Sequence, residues 1–466
     1  GGVEGGGCGD EGRAGGAGWG RGGGGGCWPG RAAVGGRVDR GDVGLEPVGP
    51  PGRKAAISWT PVERGGAHWL GKGLPAEVER LMTEGVRVET AGTFAPPCFE
   101  TPQYAWADDE HQLRGAEECD RALVAGHLEP VPEHLVASAL ATGHVHPWTV
   151  VHQGEKWRSC QDYSHCTNLR VVTRPFTLPT VFDVRRVVRP SSRFAKYDIR
   201  DGFWNVPVHP DGRPHLMVRH PATGRLLWCR SLPFGYALSP LHFCAVSEGI
   251  AGVLRRRLAG RGVHIFVFVD DFLIVGDDEA ATRVGMLELE RLLEELHMPW
   301  APHKQRGPAA VMEFLGVLLV NVGERPCLAL TESRQRKLAE RVATWSTRRP
   351  ARGETATAEP RELAQLLGHL VFCADVIPGG RTYMQAMLRQ FAGLEVDWIR
   401  GQVRLVHSAW RRVQLSAGFW RDLHWWSSAL TTANSVARAE APAGGAGGVA
   451  AVGGAGGVTP AQRLTR

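Results

Sequence analysis

No uninterrupted apolar run in the 466 residues approaches the ~18 needed for a membrane-spanning helix, so none is expected. The start lacks the charged-then-apolar pattern of a secretory leader. The protein is therefore expected to be intracellular, in cytoplasm or nucleus, and not secreted. Its ten cysteines form no C-x-x-C pair, which gives a zinc site little support, and they read as reduced thiols that mostly fill the core. His144 and His146, near Cys160 and Cys166, read as loop and core residues rather than metal ligands. The glycines have no G-X-Y period, which excludes a collagen. There is no internal repeat. There is also no initiating Met, so the sequence reads as a fragment or a gene-model slice.

What the chain has in excess is glycine, 61 residues, concentrated at its ends. Twenty-two fall in the first fifty positions and eight between Gly444 and Gly457. Such tracts bury too little apolar surface to offset chain entropy, so residues 1–75 and 436–466 are expected to be disordered, low-complexity tails. The remaining middle of roughly 350 residues is long enough for two or three subdomains with a core. A net charge of +6 permits a polyanionic partner without requiring one.

Between Leu74 and Pro147 short helical stretches alternate with proline breaks such as Pro96-Pro97. Thr149–His152 is a β-branched run that meets a turn at Gly154, with Trp157 on the return strand. Phe194–Ile199 is a second strand. Ser239-Pro240 opens a helix, Ser as its N-cap and Pro at its first position, with Phe243, Val246, Ile250, Val253 and Leu254 at helical spacing. Two apolar runs in His264–Gly276 flank Asp270-Asp271 as a hairpin. Met286, Leu289, Leu292, Leu293 and Leu296 then mark an amphipathic helix, and Val317–Val320 a last strand. The order predicts an α+β fold, an antiparallel sheet packed on helices. From Thr331 on, the pattern reads as helical throughout, with Thr331 as the cap of a helix running to Trp345. A basic helix over 334–352 carries seven Arg/Lys, including Arg334, Arg336, Lys337 and Arg341, against one acid, Glu340.

Asp270-Asp271 carries the most information. Two adjacent carboxylates at the tip of an apolar hairpin lose solvation and repel each other. A divalent cation relieves that cost, and Mg²⁺ takes oxygen ligands of this kind. A plain Asp-containing turn is the competing reading. Asp198, at the end of its own strand, can supply a third carboxylate if that strand lies beside the hairpin.

Together these segments resemble a reverse transcriptase of the gypsy/DIRS-like retrotransposon branch. Phe194–Val208, with Asp198, resembles the first palm motif. Leu232-Pro233-Phe234-Gly235 through Ser239-Pro240 resembles the LPFG…SP motif. Phe268-Val269-Asp270-Asp271 resembles the aromatic-x-Asp-Asp box, and Phe314-Leu315-Gly316 the primer grip. Lys156-Trp157-Arg158, Asp162-Tyr163, Asn168-Leu169 and Leu178-Pro179 resemble the fingers segment. Leu366–Leu370, Val376–Arg381 and Asp422–Trp426 resemble the segment after the polymerase in DIRS-like elements. The resemblance implies a right-hand polymerase, with fingers and palm over 76–325 and a helical thumb/connection region over 326–435.

It further implies RNA-directed DNA polymerase activity on an RNA or DNA template, a primer duplex and dNTPs. Asp198, Asp270 and Asp271, with the main-chain carbonyl of Ile199, would hold two Mg²⁺ ions, with Mn²⁺ as a substitute. Lys156 and Arg158 would meet the nucleotide phosphates. Phe203 would exclude a 2′-hydroxyl beside Phe234 and Gly235, Lys304 would assist at pyrophosphate, and Val269 would touch the primer end. The basic helix would track duplex phosphates. Asp201 and Asp277-Asp278 are left as structural or solvent-facing acids. Beyond residue 435 no Asp/Glu set suggests an RNase H domain, and no recombinase signature is present, so those activities are expected elsewhere. The alternative is a catalytically silent retroelement fragment that only binds nucleic acid. An RNA-dependent RNA polymerase sharing the palm is opposed by Phe203.

Overall fold

A computed structural model describes residues 66–90, 98–153, 156–174, 176–322, 326–392, 396–399, 402–405 and 412–440. The glycine tracts before residue 66 and after residue 440, Pro96-Pro97 and Gly154 lie outside the described residues. After a short 3-10 turn (Ala67–Trp69) the chain forms α1 (Ala76–Glu84), β1 (Phe99–Glu100), α2 (Asp109–Val124), β2 (Leu128–Pro130), α3 (Glu133–Thr142) and β3 (His144–His146). The expected hairpin follows as β4 (Trp148–Gln153) and β5 (Lys156–Gln161), then α4 (Thr167–Arg170) and α5 (Val181–Arg185). Next come β6 (Arg193–Asp198), β7 (Met217–Arg219), β8 (Leu226–Cys229), α6 (Ser239–Arg257), β9 (Val263–Phe268), β10 (Asp271–Gly276), α7 (Glu279–Glu295) and β11 (Arg306–Ala309). The last stretch holds β12 (Val311–Phe314), β13 (Val317–Val320), β14 (Cys327–Leu330), α8 (Glu332–Ser346), β15 (Thr357–Ala358), α9 (Pro360–Ala374), α10 (Gln385–Leu388), β16 (Val396–Ile399), β17 (Gln402–Leu405), β18 (Val413–Gln414) and α11 (Ala417–Glu440).

The central sheet has the order β11-β6-β10-β9, with every neighbouring pair antiparallel. Strand β10 reads as a continuous apolar run because both of its faces are covered. Phe272 and Ile274 join the main core with α6 and α7, while Leu273 and Val275 pack with Met312, Phe314 and Leu319 on the other side. Burying each such side chain contributes about 1.5–3 kcal/mol before entropy is counted. The α+β expectation therefore holds, with a second layer, the sheet β12-β13-β14, on the face away from the helices. A five-stranded sheet, β1-β3-β7-β8-β2, stands beside it.

Four expectations need correction. Residues 66–75 do not belong to the tail: Trp69 is fully buried in the main core, where its large apolar ring clusters with Leu74 and with Val78, Leu81 and Met82 of α1. Ser239 is the first helical residue rather than the N-cap, which is Leu238, and its hydroxyl instead donates to the Pro233 carbonyl at 2.7 Å. The basic helix ends at Ser346, so Arg348, Arg349 and Arg352 lie beyond it, as Pro350 disfavours helix in the residue before it. The segment after Thr331 is not all helical. β15 pairs β18 and β16 pairs β17, the latter from the alternating Val-Asp-Trp-Ile and Gln-Val-Arg-Leu runs. Helices α8, α9 and α11 build a separate core around Leu366, Phe419 and Trp426. Among the described residues no helix is long and apolar enough to cross a membrane.

Candidate active site

Strand alternation sends Lys196 and Asp198 to one face of β6 and Tyr197 to the other. Asp271, at the start of β10, stands directly opposite Asp198 in the ladder. Two buried carboxylates are thus set side by side, Asp198 8 % exposed and Asp271 2 %. Each has a lysine. Lys304 Nζ donates to Asp198 Oδ1 at 2.7 Å, and Lys196 Nζ lies 3.5 Å from Asp271 Oδ1. Asp270 fills the second place of the two-residue turn between β9 and β10, half-buried, and its carbonyl accepts from the Ile199 N–H at 2.9 Å. Val269 takes the first place with φ 58, a position that usually requires glycine and costs a β-branched residue about 1–3 kcal/mol. That strain aims the Asp-Asp pair and is maintained by the sheet on either side.

The donor chemistry is that of a hard divalent cation: carboxylate oxygens, with a main-chain carbonyl nearby. Among the described residues, no three His, Cys, Asp or Glu side chains stand together closely enough to hold a metal ion. The lysines provide the balancing charge in this structure. The residue types fit a Mg²⁺ site, and Lys304 would have to yield its place on Asp198 to the ion.

Phe203 follows on a 3-10 turn (Gly202–Asn205) and is half-buried, its ring 5.1 Å from Phe234 and 5.8 Å from Phe243. Phe234 and Gly235 therefore do come beside Phe203. Gly235 has φ 90, and a Cβ there would stand 1.9 Å from the Gln161 carbonyl oxygen, so only glycine allows this loop to lie on β5. Asn168 clips the same loop, donating to the Gly235 carbonyl at 2.9 Å and accepting from Ala237 N–H at 2.8 Å. Lys156 and Arg158 lie on β5 and are exposed.

The Phe314-Leu315-Gly316 turn joins β12 to β13. Phe314 is fully buried and anchors the turn from within, whereas Leu315 (φ 53) and Gly316 (φ 72) form its outer bend. Gly316 is pressed against Arg334 of α8, which also lies 4.0 Å over the Phe372 ring. Arg336 and Lys337 on α8 are exposed. Asp201 is exposed beside Arg200, Asp277 pairs with Arg189 at 3.1 Å, and Asp278 caps α7 through Ala281 N–H, so all three act locally.

His144 and His146 belong to the interior. His146 Nε2 lies 3.0 Å from the Thr167 hydroxyl, and His144 Nδ1 is 3.1 Å from His215 Nδ1. Burial brings His146 down to about 3 and His127 down to about 4, which keeps both rings neutral. Sequence reasoning missed Lys196 and the trio of buried Tyr197 and Gln305 with half-buried Glu290. Alternation from Asp198 could have found Lys196, and Glu290 sits four residues after Met286 on the inward line of α7, an odd place for an acid.

Residues 169–319 match the family model described as reverse transcriptase (RNA-dependent DNA polymerase). The chain is 26 % identical over 231 residues to a Gag-Pol polyprotein of avian reticuloendotheliosis virus, covering 48 % of this chain and 18 % of that protein. Among solved structures it resembles a foamy viral protease–reverse transcriptase in complex with double-stranded DNA, at TM-score 0.53 and 18 % identity, over 77 % of this chain and 58 % of that one. It also resembles a foamy viral protease–reverse transcriptase bound to an RNA/DNA hybrid, at TM-score 0.51 and 19 % identity, over 74 % and 40 % of the two chains. The chain thus spans less than two thirds of these relatives. Its α+β fold is that of these solved reverse transcriptases, and its residues 169–319 match the reverse transcriptase family model.

Proposed function

We propose that this chain is an RNA-directed DNA polymerase of a retrotransposon, adding dNTPs to a primer 3′-hydroxyl. The observation that carries this reading is the in-register placement of Asp198 and Asp271 on adjacent strands, with Asp270 held at a strained turn between them. Asp198, Asp270, Asp271 and the Ile199 carbonyl would hold two Mg²⁺, with Mn²⁺ able to substitute. When bound, such ions lower the pKa of the primer hydroxyl and neutralise the leaving pyrophosphate. The chain's own residues do the rest. Arg158 and Lys156, exposed on β5, reach toward the triphosphate, and Arg suits this through its planar fork. Phe203, backed by Phe234, leaves room for a deoxyribose and not for a 2′-hydroxyl. The Leu315-Gly316 bend supports the primer terminus, and exposed Arg336 and Lys337 neutralise duplex phosphates without reading sequence.

The order of motifs favours the gypsy/DIRS-like branch, and an intracellular site of action goes with that reading. The neighbours' DNA and hybrid ligands support a nucleic-acid partner for this chain as well. Purified protein, assayed on poly(rA)/oligo(dT) with Mg²⁺, is expected to extend the primer, and Asp270→Asn to abolish extension. If the wild-type chain binds the duplex yet never extends it, the enzyme reading gives way to a nucleic-acid-binding fragment.

A further inference from the structure

On the helix side of the palm sheet, directly behind the carboxylates, lies a closed ring of polar side chains that the proposed chemistry leaves unused. Tyr197 O–H donates to Glu290 Oε1 at 2.6 Å. Gln305 Nε2 donates both to the Tyr197 oxygen, at 2.8 Å, and to the same Glu290 oxygen, at 2.9 Å. Tyr197 is fully buried and Gln305 is 8 % exposed. A buried phenol and amide are costly unless satisfied, here by each other and by the half-buried Glu290 carboxylate, and a complete ring of this kind is rigid and specific.

The position of the ring in the chain gives it a role. Tyr197 directly precedes Asp198, and Gln305 directly follows Lys304. Between them the backbone is stitched together: Ala301 N–H donates to the Asp198 carbonyl at 2.9 Å, Arg200 N–H to Pro299 at 3.0 Å, and Lys304 N–H to Ala301 at 2.9 Å. Lys304 itself sits on an exposed 3-10 turn (Pro302–Lys304), a poor platform for a long flexible side chain. Gln305 is the buried residue that fixes the end of that turn to α7 and β6. We propose that Tyr197, Glu290 and Gln305 are positioning residues that fix the Lys304 turn beside the reacting face, so that Lys304 remains within reach of that face when an ion takes its place on Asp198. This rests on the polymerase reading for its consequence in catalysis, but the ring and its effect on the 299–306 segment stand apart from it.

Two measurements test this. Amide hydrogen exchange of the 299–306 segment in the free full-length chain should quicken about tenfold in Gln305→Leu and Glu290→Ala, and Glu290→Gln should restore most of the protection lost in Glu290→Ala. In single-turnover primer extension, Gln305→Leu should lower the rate constant about tenfold with primer–template Kd within twofold. In a chain already carrying Lys304→Met, Gln305→Leu should add no further loss. Unchanged exchange in Gln305→Leu overturns the proposal, as does a full additional loss on top of Lys304→Met, which would make the ring a general packing feature. A wild-type chain without extension sinks the polymerase reading instead, and the exchange result then decides the ring on its own.

Discussion

The palm sheet and the five-stranded sheet beside it both bury ionisable side chains, and they satisfy them in opposite ways. The palm gives each buried carboxylate a lysine, Lys304 on Asp198 and Lys196 on Asp271. The five-stranded sheet and the segments packed on it bury His127 and His146 and half-bury His215, and desolvation is the main cause that lowers the pKa of all three. The contrast separates polarity kept for chemistry from polarity absorbed into structure. A charge maintained by a displaceable lysine can be handed to a metal ion, whereas a ring held neutral by burial can only be lost.

Asp198→Asn tests the palm half of the contrast, and its effect should be the largest. On the proposed function, losing this carboxylate removes several kcal/mol of transition-state stabilisation, a fall of about a thousandfold in extension rate. The fold should survive, because Lys304 is 45 % exposed and can return to water. A variant that unfolds while its residual activity per folded molecule stays high would make Asp198 a structural acid and erase the distinction.

Acid titration tests the other half. His127, stacked on Trp204 at 5.1 Å, titrates near 4 when folded and near its ordinary 6.5 when unfolded. Between those values the unfolded chain binds the extra proton, so stability present above pH 6.5 is lost as pH falls toward 4. Between pH 7 and 5 the loss should reach about 2 kcal/mol for this residue, with a further contribution from His146. Urea unfolding at pH 7, 6 and 5 measures it, and His127→Gln should flatten the slope. A stability that does not change over that range would mean the rings are solvated.

The carboxylates of this site were legible from sequence because their cost is local: an Asp pair inside an apolar run needs a reason wherever the run folds. Alternation along Phe194–Ile199 placed Asp198 within reach, and the ladder then brought it opposite Asp271. The Tyr197–Glu290–Gln305 ring was not legible, since its members lie 93 and 108 positions apart and only the packing of α7 on the sheet joins them. Trp69 was lost in a glycine tract whose composition masked one anchoring ring. The β16–β17 hairpin was overlooked because it interrupts an otherwise helical pattern with two four-residue runs. The cap of α8 at Thr331 and its end near Trp345 were legible, whereas the basic stretch to Arg352 outruns the helix because charge does not determine where a helix stops; the backbone before Pro350 does.

The smallest expected effect lies at the seam between the two regions. Phe203 comes from the 3-10 turn after β6, and Phe234 from a loop fastened to β5 by Gln161 and to α4 by Asn168. Their contact therefore joins the central sheet to the β4–β5 hairpin, and on the proposed function it is the wall against which a sugar would rest. Phe203→Ala removes half-buried rather than fully buried surface, so the chain should fold with a modest loss of stability. Discrimination by shape alone is worth about 1–3 kcal/mol per small group, so the preference for dNTPs over rNTPs should fall by about tenfold or more. The expected change lies in the ratio of kcat/KM values, with incorporation of dNTPs nearly retained. Asn168→Ala, which frees the Phe234 loop without touching Phe203, should loosen the same preference by less. If Phe203→Ala slows both nucleotides equally and leaves the ratio intact, the ring is packing for the seam, and sugar choice is made elsewhere in the palm.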